Sequence, residues 1–345
     1  MSTRFLLPGL VCFVIAFSAC SDKEDVTNPA ADNIISLSAT VPGAVTRGSS
    51  TTTATIKDFI VYAFTEGNVL IDGAKVTREG GMWTYSPQAY WPVNPVSFYA
   101  YSPEINTSAS ISGNDGSSIP GYLNEGNVDL LYAVQKDVSQ QAAPVSLNFR
   151  HALSKVNILL SSSNTRIRVE VSYITISNIY RQGSFTFPQA STLASAPDVV
   201  GSWSNLKSPA NFITYAVIDH GDEVSLTPQP TDYTLDNLNS DFIIPQPLRD
   251  VQLSEAGYSG NYIEVDCIIY DTATGAVLWP NTQTPDYMLV PHTKTGRIVF
   301  PVTSDNVKAY LPGHAYVYNI EINNPDVLDK IEFDVTVDDY VMDKL

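Results

Sequence analysis

The residue whose type and position point most directly to covalent chemistry is Cys20, a thiol that closes a short apolar run. Arg4 supplies a positive start, residues 5–17 the apolar stretch, and Ser18 and Ala19 the small side chains a processing enzyme needs beside its cut. The stretch is shorter than the roughly 20 apolar residues that span a bilayer. Phe17-Ser18-Ala19-Cys20 resembles a bacterial lipobox, which implies cleavage before Cys20 and acylation of its sulfur. Residues 1–19 would then be a signal peptide, and acyl chains rather than a helix would tether the mature chain to a membrane. An ordinary secretory signal that ends in an incidental cysteine is the alternative.

Other chemistries find little support. His151, His220, His292 and His314 are far apart, and no His-x-x-x-His or Cys-x-x-Cys spacing offers a zinc site. Gly257-Tyr258-Ser259-Gly260 lacks the Gly-x-Ser-x-Gly spacing of a nucleophile elbow and reads as a turn. Asp236, Asn239 and Asp241 are not followed by the glycine and glutamate of a calcium loop. Asp338-Asp339 reads as a solvated strand end, and Cys267, inside an apolar run, as a core residue. No catalytic constellation and no cofactor are expected. The formal charge of -17 repels polyanions, so nucleic-acid binding, which rests on phosphate neutralisation, is disfavoured. Of the three cysteines, Cys12 departs with the signal and Cys20 is acylated, leaving Cys267 alone and no intramolecular disulfide.

The elements that must position anything functional are strands. Alternation with period two recurs along the chain, and no stretch keeps a period of 3.6 over a helix length. Residues 35–41 alternate without a break, placing Ile35, Leu37, Ala39 and Val41 on one face before Pro42-Gly43 ends the run. Further strands are expected at 56–64, 96–101, 129–134, 145–149, 156–160 and 169–176. Towards the C-terminus they are expected at 212–217, 242–244, 262–270, 277–279, 296–302, 315–322 and 331–337. Many short strands with frequent turns point to an all-β protein built of sandwiches. The chain's 345 residues exceed one simple sandwich, so two in tandem are expected. Trp83 and Tyr85 share a strand face with Trp91 close behind. They suit core packing, or else a sugar-stacking platform.

The blocks WTYSPQAYWPVNPVSFYAYSP at 83–103, FRHALSKVNILL at 149–160, DFIIPQPL at 241–248, HAYVYNIEINNP at 314–325 and IEFDVTV at 331–337 resemble the fimbrillin family of Bacteroidetes, which includes the type V pilins. The resemblance runs over nearly the whole mature chain in order. It implies two seven-stranded, transthyretin-like sandwiches, over 35–147 and 148–345, after a polar linker at 20–34. Within that linker Ser21-Asp22-Lys23-Glu24-Asp25 resembles the acidic export signals of some lipoproteins of this group, and equally a solvated spacer. The implied location is the outer membrane surface, as part of a fimbrium.

The resemblance also implies a mechanism of assembly. A first strand acts as a removable plug, a surface protease cuts in the loop behind it, and a strand from another fimbrial subunit fills the groove. The plug would be residues 35–41, with Ile35, Leu37, Ala39 and Val41 inward. The cut would fall between Arg47 and Gly48, since Arg47 is the only basic residue between Lys23 and Lys57 and offers one target to an arginine-specific protease. The segment 46–53 is small and polar, as a protease-accessible loop should be. The donor end is less defined: if 331–337 is this subunit's own last strand, only 338–345 remain, with Tyr340, Val341, Met342 and Leu345 as a short donor. Without a donor the subunit would stand at a tip or accessory position. The competing expectation is a monomeric surface lipoprotein, an adhesin or glycan-binding module or an uncleaved anchor, with an unknown receptor.

Overall fold

The computed structural model describes residues 33–42, 51–66, 68–113, 116–216, 224–233, 242–254 and 257–324, together with the backbone of 332–339. The first half of the chain supplies β1 (Leu37–Thr40), β2 (Asp58–Thr65), β3 (Asn68–Glu79), β4 (Met82–Thr84), β5 (Val96–Ser102), β6 (Ser118–Leu123), β7 (Leu131–Val138), β8 (Val145–Asn148) and β9 (Arg150–His151). Then come β10 (Ser154–Ser161), β11 (Ile167–Thr186), β12 (Ser202–Ala216), β13 (Val224–Ser225), β14 (Thr231–Asp232), β15 (Phe242–Ile243), β16 (Gln252–Ser254) and β17 (Gly257–Ser259). The last are β18 (Tyr262–Asp271), β19 (Val277–Trp279), β20 (Gly296–Pro301), β21 (His314–Glu321) and β22 (Glu332–Asp339), with a 3₁₀ turn at Asp286–Met288. The molecule is all-β. The cause is visible in β8 and β20, where every second side chain is buried, the pattern of a pleated sheet with one face on a core.

Three layers of packing follow from the pairing. A six-stranded sheet of order β4-β3-β2-β5-β7-β9 carries on one face the short pair β1-β8. Phe59, Val61, Phe98 and Leu131 of the large sheet meet Leu37, Ala39 and Leu147 in the core between them. A second sandwich opposes the sheet β12-β11-β18-β19, with β6, β13 and β20 attached, to the sheet β14-β10-β21-β22, with β15 attached. Its core joins Val169, Ile174, Val265, Cys267 and Ile298 to Val156, Tyr316 and Tyr318.

A third cluster lies where the two sandwiches meet. The other face of the six-stranded sheet presents Tyr99, Tyr101 and Tyr132 to Tyr122, Phe185, Phe187 and Trp203. The Tyr132 and Phe185 rings are 4.7 Å apart, and Phe185 and Trp203 5.3 Å. Two features build this junction. β11 runs on for 20 residues, and β6, from the first half of the chain, pairs with its far end through Gln182↔Leu123 and Thr186↔Ser118. Gly201 permits the approach, since a Cβ there would lie 2.2 Å from the Phe185 ring. Pairing with the first sheet persists through β9, by Leu131↔His151, and the second sheet opens at Ser154.

Candidate functional site

The segment 33–42 crosses the open side of the first sandwich, and its sequence accounts for its position. Ile35, Leu37, Ala39 and Val41 are buried, at 0%, 4%, 7% and 5% exposure, while Ser36, Ser38 and Thr40 face outward or sideways. The inward set packs among Phe59, Trp91, Phe98, Leu147 and Phe149. Trp83, Tyr85 and Trp91 line the same groove instead of forming an exposed platform. Trp83 stands 5.0 Å from Phe59 and Trp91 6.2 Å from Phe98, and the Tyr85 hydroxyl donates to the Ile35 carbonyl at 2.8 Å. Burial of Tyr85 pushes its phenol pKa up, so it remains a neutral donor.

The backbone of the segment is paired on both sides. Upstream, the Ile35 N–H donates to the Ala89 carbonyl and the Trp91 N–H to the Asn33 carbonyl, each at 2.9 Å. Downstream, β1 runs parallel to β8 in the register Leu37↔Val145 and Ala39↔Leu147. The Val145 and Phe149 N–H groups donate to the carbonyls of Ser36 and Thr40 at 2.8 Å. Thr40 Oγ1 adds a hydrogen bond to Asn148 Oδ1 at 2.6 Å.

Two polar anchors fix the ends of the connection that follows. The Val41 N–H donates to Thr53 Oγ1 at 2.8 Å, and the same hydroxyl donates to the Val41 carbonyl at 3.1 Å. The Thr51 N–H donates to Asp129 Oδ2 at 2.7 Å, and Asp129 Oδ1 lies 2.8 Å from His151 Nδ1. Asp129 and His151 are both buried. The connection from 42 to 51 is thus held at both of its ends. Arg47 and Gly48 lie outside the described residues, as do Cys20 and the set Tyr340, Val341, Met342 and Leu345.

Thr53 and Asp129 escape a reading of the sequence because no short motif links them to their partners; Asp129 meets Thr51 across 78 positions. The remaining residues weighed for chemistry are dispersed. His292 is exposed, and His314 Nδ1 lies 2.9 Å from the Pro312 carbonyl. Cys267 is fully buried, which pushes its thiol pKa up, and Gly257–Ser259 is β17, one arm of a short hairpin with β16. His220, Asp236, Asn239 and Asp241 lie outside the described residues. Among the described residues no group of three or more His, Cys, Asp or Glu is placed to hold a metal. No helix there is long and apolar enough to cross a membrane.

Comparison with known proteins supplies the context. A family model described as fimbrillin-like matches residues 45–339. A fimbrial protein from Bacteroides vulgatus superposes with a TM-score of 0.58 at 14% identity, covering 90% of this chain and all of the other. A candidate cell adhesion protein from Bacteroides uniformis gives 0.48 at 14% identity, over 90% of this chain and 99% of that one. A fimbrilin from Porphyromonas gingivalis gives 0.43 at 10% identity, over 90% and 98%. No curated protein matches the chain.

Proposed function

The chain belongs to the fimbrillin-like family, and on that premise we propose that it is a structural subunit of a surface fimbria that polymerises by exchange of its first strand. The precursor is exported as a lipoprotein, acylated at Cys20 and processed by an arginine-specific protease between Arg47 and Gly48. The segment 33–42 then leaves, and a strand of a neighbouring subunit takes its place. The two sandwiches are proposed to divide between His151 and Ser154.

The observation that carries this reading is the geometry of 33–42. It is buried through alternate side chains, hydrogen-bonded on both sides, and joined to the body of the domain by one connection. Removing three large apolar side chains and one alanine exposes a groove worth on the order of 5–10 kcal/mol, comparable to the whole stability of a domain. The freed edges of β8 and of 89–91 would template pairing with another chain. A replacement strand restores both terms, so cleavage and exchange are coupled.

The donor lies towards the C-terminus in this reading. β22 is the outer strand beside β21, paired from Glu321↔Glu332 to His314↔Asp339. With β22 occupied there, the donor in this reading is drawn from 340–345, and the subunit is proposed to take a tip or accessory position. The test treats protein carrying Cys20→Ser with an arginine-specific protease, then combines N-terminal sequencing with gels run with and without heating. A new terminus at Gly48 together with heat-labile ladders is the expected result. A monomer that resists cleavage, or one cleaved at Gly48 that retains 33–42 and never oligomerises, would overturn it in favour of a monomeric adhesin or anchor.

A further inference from the structure

A row of basic and aromatic side chains closes the downstream end of the groove. In the ladder of β2 with β3, Phe59 is opposite Val76, and both are buried in the core beneath the segment 33–42. Two residues before Phe59 and two after Val76, on the same face of the sheet, stand Lys57 and Arg78, where the Arg78 N–H still donates to the Lys57 carbonyl at 3.2 Å. Trp83 of β4 is opposite Arg78, and the Arg78 guanidinium lies 5.7 Å from the centre of its ring. Arg78 Nη1 also donates to the Thr53 carbonyl at 3.2 Å, and the Thr53 hydroxyl is bonded to Val41. The row thus meets the last residue of the buried alternation.

The charges in this row are unbalanced. Lys57 and Arg78 are exposed, and two cations side by side across a ladder repel one another. Among the described residues neither has a carboxylate partner. Asp58 is engaged with Lys75 at 3.9 Å and Asp129 with His151 at 2.8 Å, while Glu79 follows Arg78 on β3 and so turns to the other face. The resident segment brings no relief, since 33–50 contains no acidic residue and Arg47 adds a further cation. On a chain of formal charge -17, a basic pair left without a carboxylate is the exception.

The chemistry of the partner follows. A segment that carries carboxylates beside its apolar residues gains at this end of the groove a pairing that 33–42 lacks. The C-terminus of this chain has that composition: Asp338 and Asp339 precede Tyr340, Val341 and Met342, and Asp343 follows them, against Lys344 alone. Carboxylates thus stand on both sides of the apolar residues, and either direction of insertion brings one to the basic row. We propose that Lys57 and Arg78 form a docking patch for the acidic C-terminal segment of a second copy of this chain, drawing it to the vacated groove and favouring it over the return of 33–42. Opposite charges raise the rate of encounter and suppress partners of the wrong sign. On the strand-exchange reading above, on which this patch rests, charge selects the incoming segment and the apolar groove holds it.

The experiment cleaves full-length Cys20→Ser protein with an arginine-specific protease, confirms the terminus at Gly48 by sequencing, and follows oligomer growth by light scattering. Growth is compared at about 0.01 M and about 0.15 M salt, between which the screening length falls from roughly 30 Å to roughly 8 Å. The parent should grow at least about tenfold faster at the lower salt, and Lys57→Gln combined with Arg78→Gln should remove most of that difference. Arg78→Lys, which keeps the charge without the guanidinium, should retain it. Protein carrying Lys57→Glu and Arg78→Glu should grow slowly alone, as should protein carrying Asp338→Lys, Asp339→Lys and Asp343→Lys, and a mixture of the two should recover the parent rate. Lys57 and Arg78 are exposed, so the uncleaved variants at these positions should melt with the parent. A parent that is not cut at Gly48, or that is cut and never oligomerises, overturns the strand-exchange reading and this patch with it. Growth that ignores salt, a double glutamine variant as fast as the parent at low salt, or a mixture without recovery overturns the patch alone.

Discussion

Thr53 is a small residue with a disproportionate position. Its hydroxyl makes both hydrogen bonds to Val41, at the point where the segment 33–42 turns away from the groove. Thr53→Val keeps the shape and removes both bonds, so we expect a loss of about 1 kcal/mol in urea unfolding and faster departure of 33–42 after cleavage. An unchanged release rate in stopped-flow fluorescence would show that Thr53 does not hold the segment. Asp266 makes a different prediction. Burial and then the charge of Glu264 push its carboxyl from 3.8 up to about 7, against the lowering effect of Arg297. The folded chain therefore keeps a proton that the unfolded chain has already shed between these values. Stability must fall as pH rises through that window and level off above it. Asp266→Asn should flatten most of this slope, and Glu264, raised in the same direction, should account for the rest. Denaturant midpoints between pH 4 and pH 8 measure it. Neither residue was legible as special in the sequence. Thr53 sits in a run of threonines, and Asp266 looks like one more outward polar residue of a strand until Arg297 is brought beside it.

At the scale of elements, β1 was legible because its alternation is regular and because its face is fully buried, so composition and position agree. β3 was not. Most of its side chains are exposed or half-buried, its pairing with β2 has register shifts, and Gly73 at φ +65° interrupts the pattern a strand reader needs. β6 holds Pro120 and Gly121 and reads as a turn, whereas it is held by pairing to β11 from outside. β11 itself was expected to end at 176; it continues to Thr186, with Asn178 at φ 61° absorbing a shift in register. The element that matters most for assembly also makes a direct prediction. Cleaved protein stripped of 33–42 should bind a synthetic peptide of that sequence, and a variant peptide with Leu37→Asp should not. Fluorescence polarisation reads both. The aspartate would bring an unpaired charge into an apolar groove, a cost of several kcal/mol.

At the scale of the molecule, the aromatic cluster between the sandwiches joins the two that the sequence suggests. No periodicity announces it, because its residues come from strands whose other faces fill other cores. Phe185, fully buried among Tyr132, Phe187 and Trp203, is its centre. Phe185→Ala should cost about 3–5 kcal/mol, and Gly201→Ala should act in the same direction, by driving a methyl group into that ring. Calorimetry should show one unfolding transition in the parent and two in Phe185→Ala; a single transition in both would mean that the junction does not couple the halves. The groove filled by β1 beside β8 carries a further consequence for any assembly that refills it. The groove that receives a segment and the segment that fills it are different parts of the chain, so a joint between two copies is not two-fold symmetric. A row of such joints would have a head and a tail that differ chemically, and units could be added in one orientation only, each committing the next.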